Sequence, residues 1–246
     1  MQQLLTTMIE RCYEFGLTSK IYYGLHGVAF VAVLLMALWM GKKINVGWLK
    51  STLIVLIVYP LMYAWMLIYF WIESGFQSFG GQHFVCVFIY APLVALAAAK
   101  ILKLRWVDIC YIIAPCFPLN HMIGHIGCIF AGCCRGYEWE YGMYNLHTGT
   151  YLFPIQPIES LIALGIVVFL VVRAYKNKFQ PDAKHYPIML ILFGSTRFVC
   201  EFFRDNTKIL LNCSSLSFHA LFMCIVGIVA LVVIRKRNRA NLSESD

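Results

Sequence analysis

Apolar and polar positions alternate along this chain on the scale of whole helices. Runs rich in Leu, Ile, Val, Phe and Ala recur at about 21–40, 51–72, 84–101, 107–130, 155–174, 186–203 and 215–234. Each comes close to the ~20 residues that a helix needs to cross a ~30 Å hydrocarbon core. The first run is not a secretory signal, since it lacks a small-residue cleavage site and the motifs continue after it. The pattern predicts an all-α polytopic membrane protein of seven transmembrane helices, one integral membrane domain over residues 1–246. No linker or low-complexity tract interrupts it. The longest connection, 131–153, is too short to fold alone.

Composition agrees: 61% of the 246 residues are hydrophobic and 13% charged, more apolar surface than a soluble domain can hide. The net charge of +8 would suit a nucleic-acid partner, but its distribution says otherwise. Lys42, Lys43, Lys50, Lys100, Lys103, Arg105, Arg173, Lys176, Lys178, Lys184, Arg235, Lys236, Arg237 and Arg239 fall on alternate connections. That is fourteen of the twenty Lys and Arg residues, all on one side if seven segments alternate. The positive-inside rule makes that side cytoplasmic, with the N-terminus outside and the C-terminus inside. The basic excess then serves topology and anionic lipid, and no nucleic acid is expected.

On that topology the stretch HMIGHIGCIFAGCCRG, His121 to Gly136, closes the fourth helix at the outer face. His121, His125 and Cys128 at i, i+4 and i+7 share one stripe, within about 60° on a helix. Gly124 and Gly127 leave room for a neighbouring helix or a substrate chain, and Gly132 and Gly136 suit a tight loop. Pro115 and Pro118 should kink or break the helix. Helix packing with a polar interface belt would explain the histidines equally well.

Five of the ten cysteines, Cys86, Cys110, Cys116, Cys200 and Cys224, lie in apolar segments and behave as small hydrophobes. Cys12, Cys133, Cys134 and Cys213 lie on or near the outer side, where spacing defines no disulfide. His121, His125, Cys128, Cys133 and Cys134 are all zinc-ligand types. Adjacent cysteines chelate poorly, however, and no second Cys/His pair follows. Neither metal nor cofactor is expected.

The sixth segment carries STRFVCEFFRDN, with Arg197, Glu201 and Arg204 on one face. An ion inside a membrane helix costs about 2.5–3.5 kcal/mol on insertion scales unless paired or wet, so such groups are functional candidates. The bland alternative is an Arg197–Glu201 pair that only locks helices together. Two arginines against one glutamate leave a positive surplus suited to a lipid phosphate, which the guanidinium fork grips two-pronged. The fifth helix opens with FPIQPIES, placing Gln156 and Glu159 at its start between Pro154 and Pro157. Tyr22, Tyr23 and His26 of KIYYGLHG sit at the outer end of the first helix, where an aromatic belt accounts for tyrosines.

Taken in order, IYYGLHG, FGGQHF, HMIGHIGCIFAGCCRG, FPIQPIE, RFVCEFFRD and LSFHAL resemble the motifs of the prolipoprotein diacylglyceryl transferase family from about residue 20 to 234. The resemblance implies transfer of diacylglycerol from phosphatidylglycerol to the thiol of a lipobox cysteine at the outer face of the bacterial inner membrane. It matches Tyr23 to the family tyrosine, 124–136 to the glycine-rich signature, Gln156 and Glu159 to Pro-x-Gln-x-x-Glu, and Arg197 and Glu201 to Arg-Phe-x-x-Glu-Phe. It also exposes departures. His125 stands where the signature has an essential arginine, Cys128 where it has asparagine and Cys133 where it has glutamate. Val85 replaces a histidine, with His83 two places earlier, and His219 replaces a glutamine. The chain resembles a divergent member.

These readings name His125, Arg197 and Glu201 as candidate catalytic residues. His125 is a candidate base or phosphate contact; Arg197 would stabilise the leaving phosphate and Glu201 would orient it. Tyr23, His83, His121, Cys128, Arg135, Gln156, Glu159, Arg204 and His219 are candidate substrate contacts, Glu159 by tuning the histidine. The expected partners are phosphatidylglycerol, a prolipoprotein lipobox peptide or another acceptor, and the membrane, with the chain a monomer. The alternatives are a transferase of different lipid or acceptor on the same scaffold, a non-catalytic lipid- or lipoprotein-binding homologue, and a redox or metal protein built on Cys128, Cys133 and Cys134.

Overall fold

A computed structural model describes residues 7, 10–14, 16–77, 84–145, 147–207, 210 and 213–243. After a short helical stretch at 10–14 come α1 (Thr18–Lys43), α2 (Trp48–Glu73), α3 (Phe84–Leu102) and α4 (Trp106–Ala131). A hairpin of β1 (Glu138–Asn145) and β2 (Thr150–Leu152) leads into α5 (Ile155–Lys176), α6 (His185–Glu201) and α7 (Ser215–Ser243). Every one of the seven apolar runs is a helix. By length and composition, α1, α2, α4, α5 and α7 suffice to cross a membrane. The chain is a polytopic membrane protein. The 17-residue α6 is shorter, and its apolar run is interrupted by Arg197 and Glu201.

The centre of the bundle is α4, buried continuously from Asp108 to Pro118. Its prolines do not break it, contrary to expectation. Proline removes an N–H but is tolerated in a membrane helix when neighbours re-satisfy the backbone. On the Pro115 turn the Cys116 thiol donates to the Ile112 carbonyl at 3.2 Å, and Tyr59 of α2 donates its hydroxyl to the Cys116 carbonyl at 3.3 Å; the carbonyls that the two prolines themselves leave without a helical donor are those of Tyr111 and Ala114.

Neighbouring helices run antiparallel, as their close approaches show. A Cβ on Gly124 of α4 would meet His26 of α1, Cys116 lies against the Val33 carbonyl, and a Cβ on Gly41 would meet Ser51 and Ile112. Tyr22 and Leu25 of α1 lie at contact distance from a Cβ on Gly127. The room left by Gly124 and Gly127 is therefore taken by a neighbouring helix. Likewise α7 packs on α6, where a Cβ on Gly194 would strike the Ala220 carbonyl at 2.8 Å and one on Gly227 the Pro187 carbonyl at 2.8 Å. Antiparallel packing sends the C-terminal ends of α4 and α6 and the N-terminal ends of α1 and α5 to one end of the bundle. The basic clusters at Lys42–Lys43, Arg105 and Arg173–Lys184 collect at the other.

The connection 131–153 is ordered by an antiparallel hairpin rather than by a domain of its own. The hairpin slips register between Glu138 and Met143, and a Cβ on Gly142 in that irregularity would lie 2.1 Å from the Leu152 carbonyl oxygen. Glycine alone fits there. Trp139 and Tyr141 alternate with Glu138 and Glu140, the period-2 signal of a strand, and the phase breaks at Gly142 where the register slips.

Candidate active site

Three elements and one loop converge on Glu159. It sits one turn inside α5 and is 4% exposed. From α6, Arg197 Nη1 donates to its Oε1 at 2.5 Å. Beyond the end of α6, Arg204 donates from Nη2 to Oε2 at 2.6 Å and from Nε to Oε1 at 3.3 Å. From α4, His125 Nδ1 lies 3.0 Å and His121 Nε2 3.5 Å from Oε2. The imidazoles lie against each other with centroids 3.9 Å apart and planes tilted by 37°, as their i, i+4 spacing on one face allows.

A second carboxylate completes the arrangement. Glu201 Oε1 pairs with Arg197 Nη2 and lies 3.3 Å from Arg204 Nε. Its other oxygen accepts from Asn206 Nδ2 at 2.7 Å and from the Ser214 hydroxyl at 2.8 Å. Ser214 also caps α7, exchanging hydrogen bonds with Ser217 across S-S-L-S in the manner of a capping box. Burial of so many ions is sustainable only because each has partners.

The loop after α4 is shaped to meet this cluster. Gly132 ends the helix in the left-handed conformation, φ 66°, as a helix C-terminus favours. Cys134 is also left-handed, φ 56°, and its carbonyl accepts from Arg204 Nη1 at 3.0 Å. Gln156 holds the same loop by donating Nε2 to the Cys133 carbonyl at 2.9 Å. At Gly136 the chain passes so close to the Phe153 carbonyl that a Cβ would stand 2.4 Å from it.

Several expectations change in this light. The positive surplus read from Arg197, Glu201 and Arg204 does not survive, because Glu159 balances it: two guanidiniums face two carboxylates. Glu159 does not merely tune a histidine; it is the hub. Arg135 stays outside, 41% exposed and 3.6 Å from Asp205. Tyr23 points away, 71% exposed, while the adjacent Tyr22 packs toward Gly127. His219 makes its contacts elsewhere, donating Nδ1–H to the Ser215 carbonyl at 2.7 Å and pairing with the Tyr69 hydroxyl on α2. His83 lies outside the described residues. Ser214 and Asn206 were missed, although S-x-x-S before an apolar run is a readable helix start. Beside the cluster a narrow cleft is lined by His121, Glu159, Phe193, Thr196, Arg197 and Cys200. Arg197 Nε is buried without a hydrogen-bond partner among the described residues.

The thiols also gather. One ring nitrogen of His125 and the sulfurs of Cys128 and Cys134 lie within 4.8 Å of one another. No disulfide joins cysteines among the described residues.

A family model described as prolipoprotein diacylglyceryl transferase matches residues 22–233. The chain belongs to the prolipoprotein diacylglyceryl transferase family. Among similar proteins are phosphatidylglycerol–prolipoprotein diacylglyceryl transferase 2 of Clostridium perfringens, 26% identical over 179 residues and 69% of each chain, and the transferase of that name from Cupriavidus metallidurans, 23% identical over 236 residues, 84% of this chain and 87% of the relative. The Clostridium tetani relative is 26% identical over about half of each chain, 52% and 54%. The expectation of a transferase therefore holds at the level of the family. The motifs through which the chain resembles prolipoprotein diacylglyceryl transferases converge in space at His125, Gln156, Glu159, Arg197 and Glu201, and diverge at Tyr23 and His219.

Proposed function

We propose that the chain is a lipid-dependent transferase of the bacterial cytoplasmic membrane that moves diacylglyceryl from phosphatidylglycerol to a lipoprotein cysteine thiol at the outer leaflet. The observation that carries this reading is the buried Glu159 hub, where two arginines and two histidines from the stretches that resemble the family motifs meet on one carboxylate, His125 standing in the place of the signature arginine. Seven crossings, with the N-terminus outside, would set that hub in the outer half of the bilayer. The basic clusters at the opposite end of the bundle support this orientation through the positive-inside rule.

The reaction needs a phosphoester oxygen stabilised as it leaves and a thiol relieved of its proton. Arg197 is the group for the first: its Nε–H is uncommitted, and a phosphate could compete with the carboxylates for its other donors. His125 is the group for the second, or a second phosphate contact when protonated. The sulfur attacks the glycerol carbon, the C–O bond breaks, and the electron pair leaves with glycerol phosphate.

Purified protein given phosphatidylglycerol and a lipobox peptide should yield, by mass spectrometry, a peptide heavier by one diacylglyceryl group, along with glycerol phosphate. Absence of product from a folded chain that still binds the lipid would favour a binding homologue. The topology has its own test. A membrane-impermeant thiol reagent should label cysteines placed in 131–153 of intact cells and spare one placed at Lys178; the reverse would overturn the orientation.

A further inference from the structure

Cys133 and Cys134, as adjacent residues, make a poor chelate. The fold assembles a different set. His125 and Cys128 stand at i, i+3 on the last turns of α4, so their side chains leave the same face. Two left-handed residues, Gly132 and Cys134, then turn the chain back over that face, returning the Cys134 sulfur to within 4.8 Å of both the Cys128 sulfur and a His125 nitrogen. In a tetrahedral zinc site with Zn–S of about 2.3 Å and Zn–N of about 2.0–2.1 Å, ligand atoms lie roughly 3.6–3.8 Å apart. Closing the triad on an ion thus needs a contraction of about 1 Å at most, within the reach of side-chain torsions.

Two further features fit. His125 Nδ1 is 3.0 Å from the Glu159 carboxylate; with Nδ1 turned to Glu159, Nε2 would be the nitrogen that binds. A carboxylate behind a ligating imidazole is the usual outer support of a metal-bound histidine. The loop that presents Cys134 is itself fixed, its carbonyls held by Arg204 and Gln156. We propose that His125, Cys128 and Cys134 form a binding site for a soft transition-metal ion of the zinc class, with three protein ligands and one tetrahedral position left over. Two thiols and one imidazole select such ions over calcium or magnesium, and three protein ligands are the pattern of sites that keep a position for an exogenous ligand. The inference does not depend on the transfer reaction. It also makes ion binding and proton uptake at His125 mutually exclusive, since both need the same lone pair.

The test uses the full chain in detergent, kept reduced, stripped with chelator and titrated with Co²⁺. Binding should produce thiolate-to-cobalt absorption in the near ultraviolet together with visible bands, saturating at one ion per chain and abolished by one equivalent of Zn²⁺. Cys128→Ser and Cys134→Ser should each weaken binding by about a hundredfold or more, beyond the ~10–100-fold cost of losing an outer support. Cys133→Ser should stay within a few fold of the parent. Gel-filtration profiles confirm that each variant is folded. A parent chain showing no thiolate band, or Cys128→Ser and Cys134→Ser variants that bind as the parent does, or binding that depends on Cys133 instead, would overturn the proposal. None of these readouts involves transfer activity, so the two proposals fail separately.

Discussion

The pair α5–α6 carries an arginine-centred cluster at each end, and the two are built differently. At one end Arg197 and Arg204, 6% and 2% exposed in their side chains, share Glu159 and Glu201, 4% and 0% exposed. At the other, Arg173 pairs with Asp182, both side chains about a quarter exposed, and donates to His185 Nδ1 at 3.0 Å. The second cluster closes the short loop between the helices, with Asp182 also accepting from the Lys184 backbone N–H at 2.9 Å. A half-wet pair of that kind stabilises by about 0–1 kcal/mol. Four fully buried ions are another matter. Replacing such clusters with apolar residues is often neutral or stabilising, so folding alone does not explain their presence. Under the proposed function the buried charge belongs to a working site, whereas the half-buried pair at the helix turn is a fastening.

Glu159→Gln should produce the largest effect. It would leave two buried guanidiniums facing one carboxylate, and breaking a buried pair costs about 3–5 kcal/mol. The yield of folded protein and the thermal midpoint in detergent should both fall steeply. A Glu159→Gln chain as stable as the parent would mean that the hub is wetter than its burial suggests, and the contrast between the two ends would collapse.

Gln156→Ala should come next. It removes one hydrogen bond to the Cys133 carbonyl, at about 1–3 kcal/mol when an acceptor is left unpaired. Because the same loop offers the Cys134 carbonyl to Arg204, turnover should drop several fold with only a modest loss of stability. Equal losses in both would make Gln156 a purely structural tether.

Asp182→Asn should be milder and should depend on pH. Burial raises the Asp182 pKa, but the Lys184 N–H and the Arg173 guanidinium outweigh it and hold the carboxyl below its ordinary 3.8. A depressed folded-state value gives stability that is present above the unfolded pKa and lost as pH falls through the folded one. Parent and variant should therefore differ in stability at pH 5–7 and draw together only as pH falls from about 4 through the lowered Asp182 value. Convergence at high pH instead would reverse the assigned sign. Tyr23→Phe should do least, given its 71% exposure; a large loss of transfer would show that Tyr23 meets the substrate outside the bundle.

The helices were legible because the constraint behind them is blunt: ~20 apolar residues and a basic flank leave little choice. Six of the seven runs appear within a few residues of their expected ends, while α7 continues to Ser243 instead of ending near 234; His121 and His125 of one stripe and Arg197, Glu201 and Arg204 of the other meet at the hub. What sequence could not supply was the distance across helices. Arg197–Glu201 is a local pair and was readable; Arg197–Glu159 joins residues 38 apart and was not. That one contact turned an apparent positive surplus into a balanced cluster. The prolines of α4 misled because each removes a single bond from a helix that its neighbours bury continuously from Asp108 to Pro118. Cys128 and Cys134 were readable as ligand types but not as neighbours of His125 without Cys133, because only the reversal at Gly132 sets that triad.

The most direct measurement compares lysine at the two ends of the same helix pair. Arg197→Lys and Arg173→Lys each keep the charge and lose the planar fork. Product formed per folded molecule, with phosphatidylglycerol and a lipobox peptide, should fall about ten- to over a hundredfold for Arg197→Lys, the equivalent of losing one charge-assisted contact of about 1.5–3 kcal/mol in the transition state. It should stay within about twofold of the parent for Arg173→Lys. An Arg197→Lys chain with unchanged turnover, or equal losses at both arginines, would contradict the account and make the buried cluster a fastening like the other.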